Sequence, residues 1–238
     1  MSHTIVLVHG AFSDSASWDQ LVDPLVAEDH TVIAAANPLR RLAGDAAAVS
    51  DLVRTVEGPV VLVAHSYGGA VISNVDPDAG DICGLVYVNA FAPDTGESCF
   101  QLADMFPGSM LDATTLQPVR RSDGTTDLYF ARERFHDIFC HDVPAPQAAL
   151  MAATQRPATR EALLDPSGDR PLWKTVPSWF LIGEEDRVIP AALQRYMAER
   201  VRARRTVAVE GASHAIAVSR PDATVHPIFE AAALRVAA

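Results

Sequence analysis

The stretch Val63-Ala64-His65-Ser66-Tyr67-Gly68-Gly69 follows an apolar, β-branched run and precedes a helical pattern. A serine at such a tight strand-to-helix turn has strained backbone angles and needs small residues two positions before and after it. Ala64 and Gly68 meet this requirement, although glycine is more usual at the first position. The stretch predicts Ser66 as a nucleophile, with the backbone N–H of Tyr67 directed at the developing oxyanion. The alternative is a turn without chemistry, because such patterns also arise by chance.

Short apolar runs alternate with helical patterns on both sides of this turn. The alternation predicts right-handed crossovers and an α/β fold, with a mostly parallel central sheet and helices on both of its faces. Strands are expected at 4–8, 31–35, 60–64, 82–88 and 206–209, and helices at 18–28, 45–56, 67–75, 192–201 and 221–233.

The alternation breaks down in residues 93–175, which are rich in aromatic residues, methionine and proline. A segment of about 80 residues is too long for a connecting loop. We expect a mostly helical cap over the carboxyl edge of the sheet, with a turn at 120–126. The predicted organisation is an α/β core at 1–92 and 176–238, with the cap inserted into this single domain.

The first predicted strand ends in His9-Gly10. Glycine there allows a close approach, and the following loop can turn a second N–H, from Ala11 in preference to Phe12, toward the same oxyanion. We interpret His9 as a histidine held by loop hydrogen bonds rather than as a base.

Two further loops carry the polar groups that a serine nucleophile needs. Asp186 follows an apolar strand, where its carboxylate can receive the Nδ1–H of a histidine and hold its tautomer. His214 lies in a loop of small residues after the strand 206–209, where it can act as general base and acid. The order Ser66, Asp186, His214 is the one expected for this sheet topology. The neighbouring Glu184 and Glu185 are interpreted as solvated turn residues.

Composition excludes several classes of protein. The 238 residues carry 19 basic and 30 acidic side chains, a net charge of −11, which argues against a nucleic-acid partner. Hydrophobic residues make up 49%, too many for a disordered chain. No stretch approaches the roughly 20 apolar residues of a membrane span, and the apolar start is too short for a signal peptide. We therefore expect a cytoplasmic protein with no membrane partner.

No cofactor or metal is expected. The three cysteines, Cys83, Cys99 and Cys140, have no metal-ligand spacing, and their odd number suits a reducing compartment. His136 and His141 are five residues apart, which does not place them on one helical face. A homodimer is compatible with the sequence.

The chain resembles the α/β-hydrolase fold superfamily. It is most similar to the compact branch that contains plant methylesterases, hydroxynitrile lyases and small bacterial esterases. The resemblance covers residues 4–92 and 176–236, with HGAF, AHSYGG, GEEDRVIP and GASHA in their expected order. It implies Ser66 as nucleophile, His214 as general base and acid and Asp186 as orienting carboxylate, with an oxyanion hole from the N–H groups of Ala11 and Tyr67.

Departures from relatives narrow the chemistry. The hydroxynitrile lyases have a lysine after the catalytic histidine and a threonine after the strand-end histidine, where this chain has Ala215 and Gly10. Related dehalogenases and epoxide hydrolases use aspartate at the position of Ser66. We therefore expect a serine hydrolase for a small or medium, hydrophobic ester, thioester or lactone.

Two alternatives remain open. The first is non-hydrolytic chemistry on the same scaffold, by a carbon–carbon lyase, a biosynthetic cyclase or a cofactor-free oxygenase, because fold and triad do not separate these reactions. The second is a ligand-binding receptor with little catalysis.

Overall fold

A six-stranded parallel sheet forms the centre of the computed structural model, which describes residues 2–234. This confirms the predicted α/β fold. The strands are β1 (Thr4–Val8), β2 (Thr31–Ala35), β3 (Pro59–Ser66), β4 (Asp81–Ala90), β8 (Ser178–Gly183) and β9 (Arg205–Val209). Their order across the sheet is β2-β1-β3-β4-β8-β9. The central strands are buried on both faces, as expected of near-continuous apolar runs in a parallel sheet.

Helices cover both faces because successive strand residues point to opposite sides. Val6 and Val8 pack on the side of α2 (Leu42–Val53) and α3 (Tyr67–Ser73), whereas Ile5 and Leu7 pack on the side of α1 (Asp19–Ala27) and α10 (Pro221–Ala233). The helices that flank the sheet are α1 (Asp19–Ala27), α2 (Leu42–Val53), α3 (Tyr67–Ser73), α8 (Ala191–Val201), α9 (Ile216–Ser219) and α10 (Pro221–Ala233), with a short 3-10 helix at Ser15–Trp18.

Residues 91–177, between β4 and β8, form what we call the insertion. It contains α4 (Cys99–Ala103), β5 (Leu116–Arg120), β6 (Thr126–Phe130), α5 (Arg132–Phe139), α6 (Ala145–Thr154), β7 (Ala158–Thr159), α7 (Arg160–Leu164) and a 3-10 turn at Leu172–Lys174. The insertion has more helix than strand, as expected. It also contains an antiparallel sheet of order β5-β6-β7, which the sequence analysis does not predict. The boundaries 93 and 175 stay predictions.

Hydrophobic periodicity does not reveal this small sheet. Leu116 is the only buried residue of β5, and Pro118 sits in its middle, a residue that sheets accept on an edge strand. In β6 the buried Asp127 is paired with Arg40, at 2.6 Å, and with Arg121, at 3.0 Å. The turn predicted at 120–126 is the hairpin connection between β5 and β6.

The insertion lies against loops that follow the carboxyl ends of the parallel strands. Phe12 N–H donates to Arg156 O at 2.9 Å, Met110 N–H to Arg187 O at 2.8 Å, and Ala215 N–H to Phe139 O at 3.0 Å. Among residues 2–234, no helix has the length and apolar character needed to cross a bilayer.

Candidate active site

The turn at Ser66 connects β3 to α3 with a strained backbone. Ser66 has φ 55° and ψ −125°, in the positive-φ region that side chains disfavour. The pairing of β3 with β4 shifts in register between His65 and Ser66. A Cβ on Gly10 would lie 2.6 Å from Ser66 Cβ, and one on Gly68 would lie 2.5 Å from Val8 O. These contacts give the physical reason for the small residues around the serine.

Tyr67, the first residue of α3, is fixed by its side chain. Its hydroxyl donates to Asp45 Oδ2 at 2.7 Å, and both residues are fully buried. Burial raises the pKa of the Asp45 carboxyl, while backbone N–H donation from Arg40 opposes that rise. Burial also raises the pKa of Tyr67, so its hydroxyl remains a donor. The backbone N–H of Tyr67 is thereby held at the helix start, beside Ser66.

Asp186 and His214 form a buried, hydrogen-bonded pair. His214 Nδ1 lies 2.8 Å from Asp186 Oδ2, and both side chains have no exposed surface. Asp186 Oδ1 accepts the backbone N–H groups of Val188, at 2.8 Å, and Ile189, at 2.9 Å. Gln194 Nε2 donates to Asp186 Oδ2 at 2.9 Å. Four donors therefore orient the carboxylate and the imidazole together.

The opposite nitrogen of His214 is available to accept a proton. With Nδ1–H donated to Asp186, the neutral ring carries its lone pair on Nε2. This Nε2 is buried and has no hydrogen-bond partner among residues 2–234, so no bond to Ser66 Oγ is formed. Such bonds are often long in enzymes without substrate.

His65, next to the serine, supports the His214 loop. Its Nε2 lies 2.9 Å from His214 O, and the two rings are 4.5 Å apart. Burial, followed by the neighbouring His214, lowers the pKa of His65 well below its usual value. His65 is therefore neutral near pH 7 and donates its Nε2–H to the carbonyl. The contact links the Ser66 turn to the His214 loop.

Asn89, in β4, connects the end of β8, which precedes the Asp186 loop, to the His214 loop. Its Nδ2 donates to Ser213 O at 2.8 Å and to His214 O at 3.2 Å. Its Oδ1 accepts Gly183 N–H, at the end of β8, at 2.6 Å. Sequence analysis missed the roles of His65, Asn89 and Gln194. His65 lies inside the quoted motif, but no local pattern points to the other two.

His9 is a loop-anchoring residue, as the sequence suggests. Its Nε2 accepts Asn37 N–H at 3.1 Å, and its Nδ1 lies 2.9 Å from Gly10 O. Burial lowers the pKa of His9, which keeps the ring neutral. The nearby Phe12 N–H donates to Arg156 O, so this N–H is already hydrogen-bonded within the protein.

A cavity of about 370 Å³ lies beside these loops, between residues 12–20 and helix α6. The charged residues that line it are Asp14 and Asp19. A narrow space of about 10 Å³ shares Met151 with this cavity and extends to His65 and Ala215, next to His214. Neither Ser66 nor His214 lines either space, so the cavity lies beside the candidate catalytic residues and does not enclose them.

The described residues contain no group of three or more His, Cys, Asp or Glu side chains placed to hold a metal ion. The two histidines considered for a metal make other contacts. His136 Nε2 lies 2.9 Å from Val143 O, and His141 Nε2 lies 3.2 Å from Glu185 O.

Comparison with known protein families gives a match over residues 5–226 to the model of the alpha/beta hydrolase family. The chain belongs to this family. Among its relatives, a pyrethroid hydrolase from Sphingobium wenxiniae is 28% identical over 245 residues, covering 95% of this chain and 86% of that protein. A carbendazim hydrolyzing esterase from Nocardioides sp. is 34% identical over 110 residues, covering 41% of this chain and 46% of that esterase.

The fold of this α/β-hydrolase also matches solved structures. Polyneuridine aldehyde esterase superposes with a TM-score of 0.81 at 18% identity, covering 98% of this chain and 100% of that one. At the level of the family, the relatives support ester hydrolysis.

Proposed function

We propose that the protein is a serine esterase that cleaves small or medium, hydrophobic, uncharged carboxylic esters, thioesters or lactones through an acyl-enzyme on Ser66. The observation that carries the proposal is the buried Asp186–His214 hydrogen bond, together with a serine held in a strained turn. Carboxylate, imidazole and hydroxyl in this chain order are the groups that acyl transfer to serine requires.

Acylation begins when His214 Nε2 takes the proton of Ser66 Oγ as the oxygen attacks the ester carbonyl carbon. The imidazolium that forms is stabilised by Asp186 through the Nδ1–H bond. The backbone N–H groups of Ala11 and Tyr67 stabilise the oxyanion. Ala11 is favoured over Phe12 because the Phe12 N–H already donates to Arg156 O.

Acylation ends when His214 gives its proton to the departing alkoxide, so the alcohol leaves and the acyl group stays on Ser66. Deacylation reuses the same groups. A water then loses a proton to His214 Nε2 and attacks the acyl carbonyl. Collapse of this second tetrahedral intermediate releases the acid and returns the proton to Ser66 Oγ.

The charges of the 370 Å³ cavity beside these loops support an uncharged substrate. Its charged lining residues are both aspartates, Asp14 and Asp19, and the chain has a net charge of −11. Both features disfavour an anionic ester, since like charges repel at close range.

The three free, buried cysteines fit the proposed cytoplasmic location.

The test is hydrolysis of p-nitrophenyl acetate, butyrate and octanoate by wild type and Ser66→Ala, with mass spectrometry after treatment with a phosphonate. Wild type should turn over and gain one adduct, and Ser66→Ala should do neither. Ser122→Ala, an exposed serine in the hairpin turn, is the control and should match wild type. A folded wild type that is neither active nor labelled would reject the proposal and direct the search to lyase, cyclase or ligand-binding assays.

A further inference from the structure

Residues 137–142 of the insertion, which we call the bracket, form the C-terminal end of α5 and the turn after it. The segment contains Asp137, His141 and Asp142. In the structure they contact the two loops that carry Asp186 and His214.

On the acid side, the bracket holds the residues before and after Asp186. His141 Nε2–H donates to Glu185 O at 3.2 Å. Arg187 Nη1 donates to Asp137 O at 2.9 Å and also pairs with the Asp137 carboxylate. The turn that presents Asp186 is thus fixed on both sides by one short segment.

On the base side, the bracket contacts His214 and the residue after it. Ala215 N–H donates to Phe139 O at 3.0 Å. The Phe139 ring packs edge-to-face on the His214 ring, with centroids 4.8 Å apart. Because Phe139 is fully buried, its ring limits how far the imidazole can turn.

Asp142 adds an electrostatic contact with the segment that follows His214. Its carboxylate lies 3.3 Å from Arg220 Nη1 and is 8% exposed. Burial alone would raise the pKa of Asp142, but the polar groups of Ser213 and Ser219 and the Arg220 guanidinium lower it below its usual value. Neither carboxylate oxygen completes a hydrogen bond of good geometry among the described residues, so the attraction is mainly electrostatic.

We propose that the bracket is a positioning element for catalysis, which holds the Asp186 turn and the His214 loop at the separation that their hydrogen bond requires. The two loops follow different strands, β8 and β9, and are joined within the core by Asn89 and by Glu185 N–H, which donates to Ala212 O at 3.1 Å. The bracket adds contacts from the insertion to both of them. The proposal rests on the proposed esterase function for its catalytic consequence. Misplacement of a catalytic group by about 1 Å can lower a rate by about 100-fold.

The test compares variants at both ends of the bracket. Asp142→Asn weakens the hold on the His214 loop, and His141→Phe removes the donor to Glu185 O. His141→Gln keeps an N–H donor and should restore most of the lost function. Asp165→Asn is the matched control, because Asp165 also joins the insertion to the core, through Arg41 at 2.8 Å, but contacts neither loop.

Two readouts separate positioning from general stability. The first is kcat and KM for p-nitrophenyl butyrate, where Asp142→Asn and His141→Phe should lower kcat by roughly 10- to 100-fold with little change in KM. The second is the far-downfield proton resonance of His214 Nδ1–H, assigned by its loss in His214→Ala. This resonance needs no substrate, and it should broaden or shift in the two bracket variants but not in Asp165→Asn.

The outcomes are distinct. Bracket variants that fold, keep the wild-type resonance and keep kcat would overturn the proposal, and so would equal losses in Asp165→Asn. A wild-type spectrum without the resonance would contradict the Asp186–His214 bond on which the proposal depends. If wild type shows no esterase activity but the resonance responds as expected, the proposed function fails and the positioning role stands.

Discussion

Ser66 holds a backbone conformation that a side chain on a neighbouring strand end would prevent. Its φ of 55° costs roughly 1–3 kcal/mol relative to an ordinary conformation, a cost that the packing of β3 and α3 must offset. Gly10 provides the space, since a Cβ there would overlap Ser66 Cβ at 2.6 Å and His65 O at 2.9 Å. The strained turn therefore depends on space left by the loop after β1, not on the serine turn alone.

Gly10→Ala should move the serine turn or the oxyanion loop. We expect the free energy of unfolding, measured by urea denaturation, to fall by about 1–3 kcal/mol. In steady-state kinetics, kcat should fall by a larger factor than the factor by which KM changes. The control is Gly44→Ala, in α2, where an added Cβ would meet nothing within 4 Å. That variant should gain up to about 1 kcal/mol and keep its activity. If Gly10→Ala keeps the kcat of wild type, the close approach of residue 10 to Ser66 is not required for activity.

Which residues were visible in the sequence depends on the range of their contacts. Ser66 was recognisable because its requirement for small residues is met within two positions on either side. Asp186 and His214 each follow a strand, and their order along the chain supplied the rest. Asn89 and Gln194 were missed because their hydrogen bonds join loops far apart in sequence, and neither has a local pattern that distinguishes it from a buried amide.

At the scale of elements, Asn89 joins β4 to β8 and to the loop after β9. Its amide uses both its donor and its acceptor in fully buried positions. Asn89→Asp keeps the acceptor for Gly183 N–H but faces the carbonyls of Ser213 and His214 with no donor. We expect a loss of roughly 2–4 kcal/mol in the free energy of unfolding and a marked loss of kcat.

The control for this prediction is Asn74→Asp, which also exchanges a donating amide for a carboxyl. Asn74 Nδ2 donates to Ala70 O and Ser167 Oγ, but the residue is only half-buried and is remote from both loops. A loss of about 1 kcal/mol with unchanged kcat is expected there. Equal effects at the two positions would argue that Asn89 has no special role at the site.

The elements of the core were predictable and one part of the insertion was not. The core strands are continuous apolar runs separated by helices, so their hydrophobic pattern and their alternation with helices both predict them. The small sheet of the insertion is held instead by backbone pairing, which joins β6 to the distant β7, and by Asp127, whose partners Arg40 and Arg121 lie in the loop before α2 and in the hairpin turn. A strand stabilised by ion pairs and by long-range pairing carries little of the alternation that sequence reading uses.

For the molecule as a whole, buried histidines link folding stability to pH. The folded protein keeps His65 neutral, because burial lowers the pKa of His65 well below 6.5, whereas the unfolded chain binds a proton near pH 6.5. Stability from this group is therefore fully present above pH 6.5 and falls as the pH drops, by up to about 1.4 kcal/mol per pH unit. His9, whose pKa burial also lowers, acts in the same direction.

His65→Gln should reduce this acid sensitivity, because glutamine does not titrate and can still donate an N–H to His214 O. Urea denaturation at intervals between pH 7 and 5 gives the slope of unfolding free energy against pH. For His65→Gln this slope should be smaller than that of wild type by up to about 1.4 kcal/mol per pH unit, which corresponds to one proton. His226→Gln, which replaces an exposed histidine, should leave the wild-type slope unchanged. If His65→Gln also keeps the wild-type slope, His65 must take up its proton in the folded state. It would then be a cation beside His214 under mildly acidic conditions, and the acid limb of the activity profile would have to be assigned to the two rings together rather than to His214.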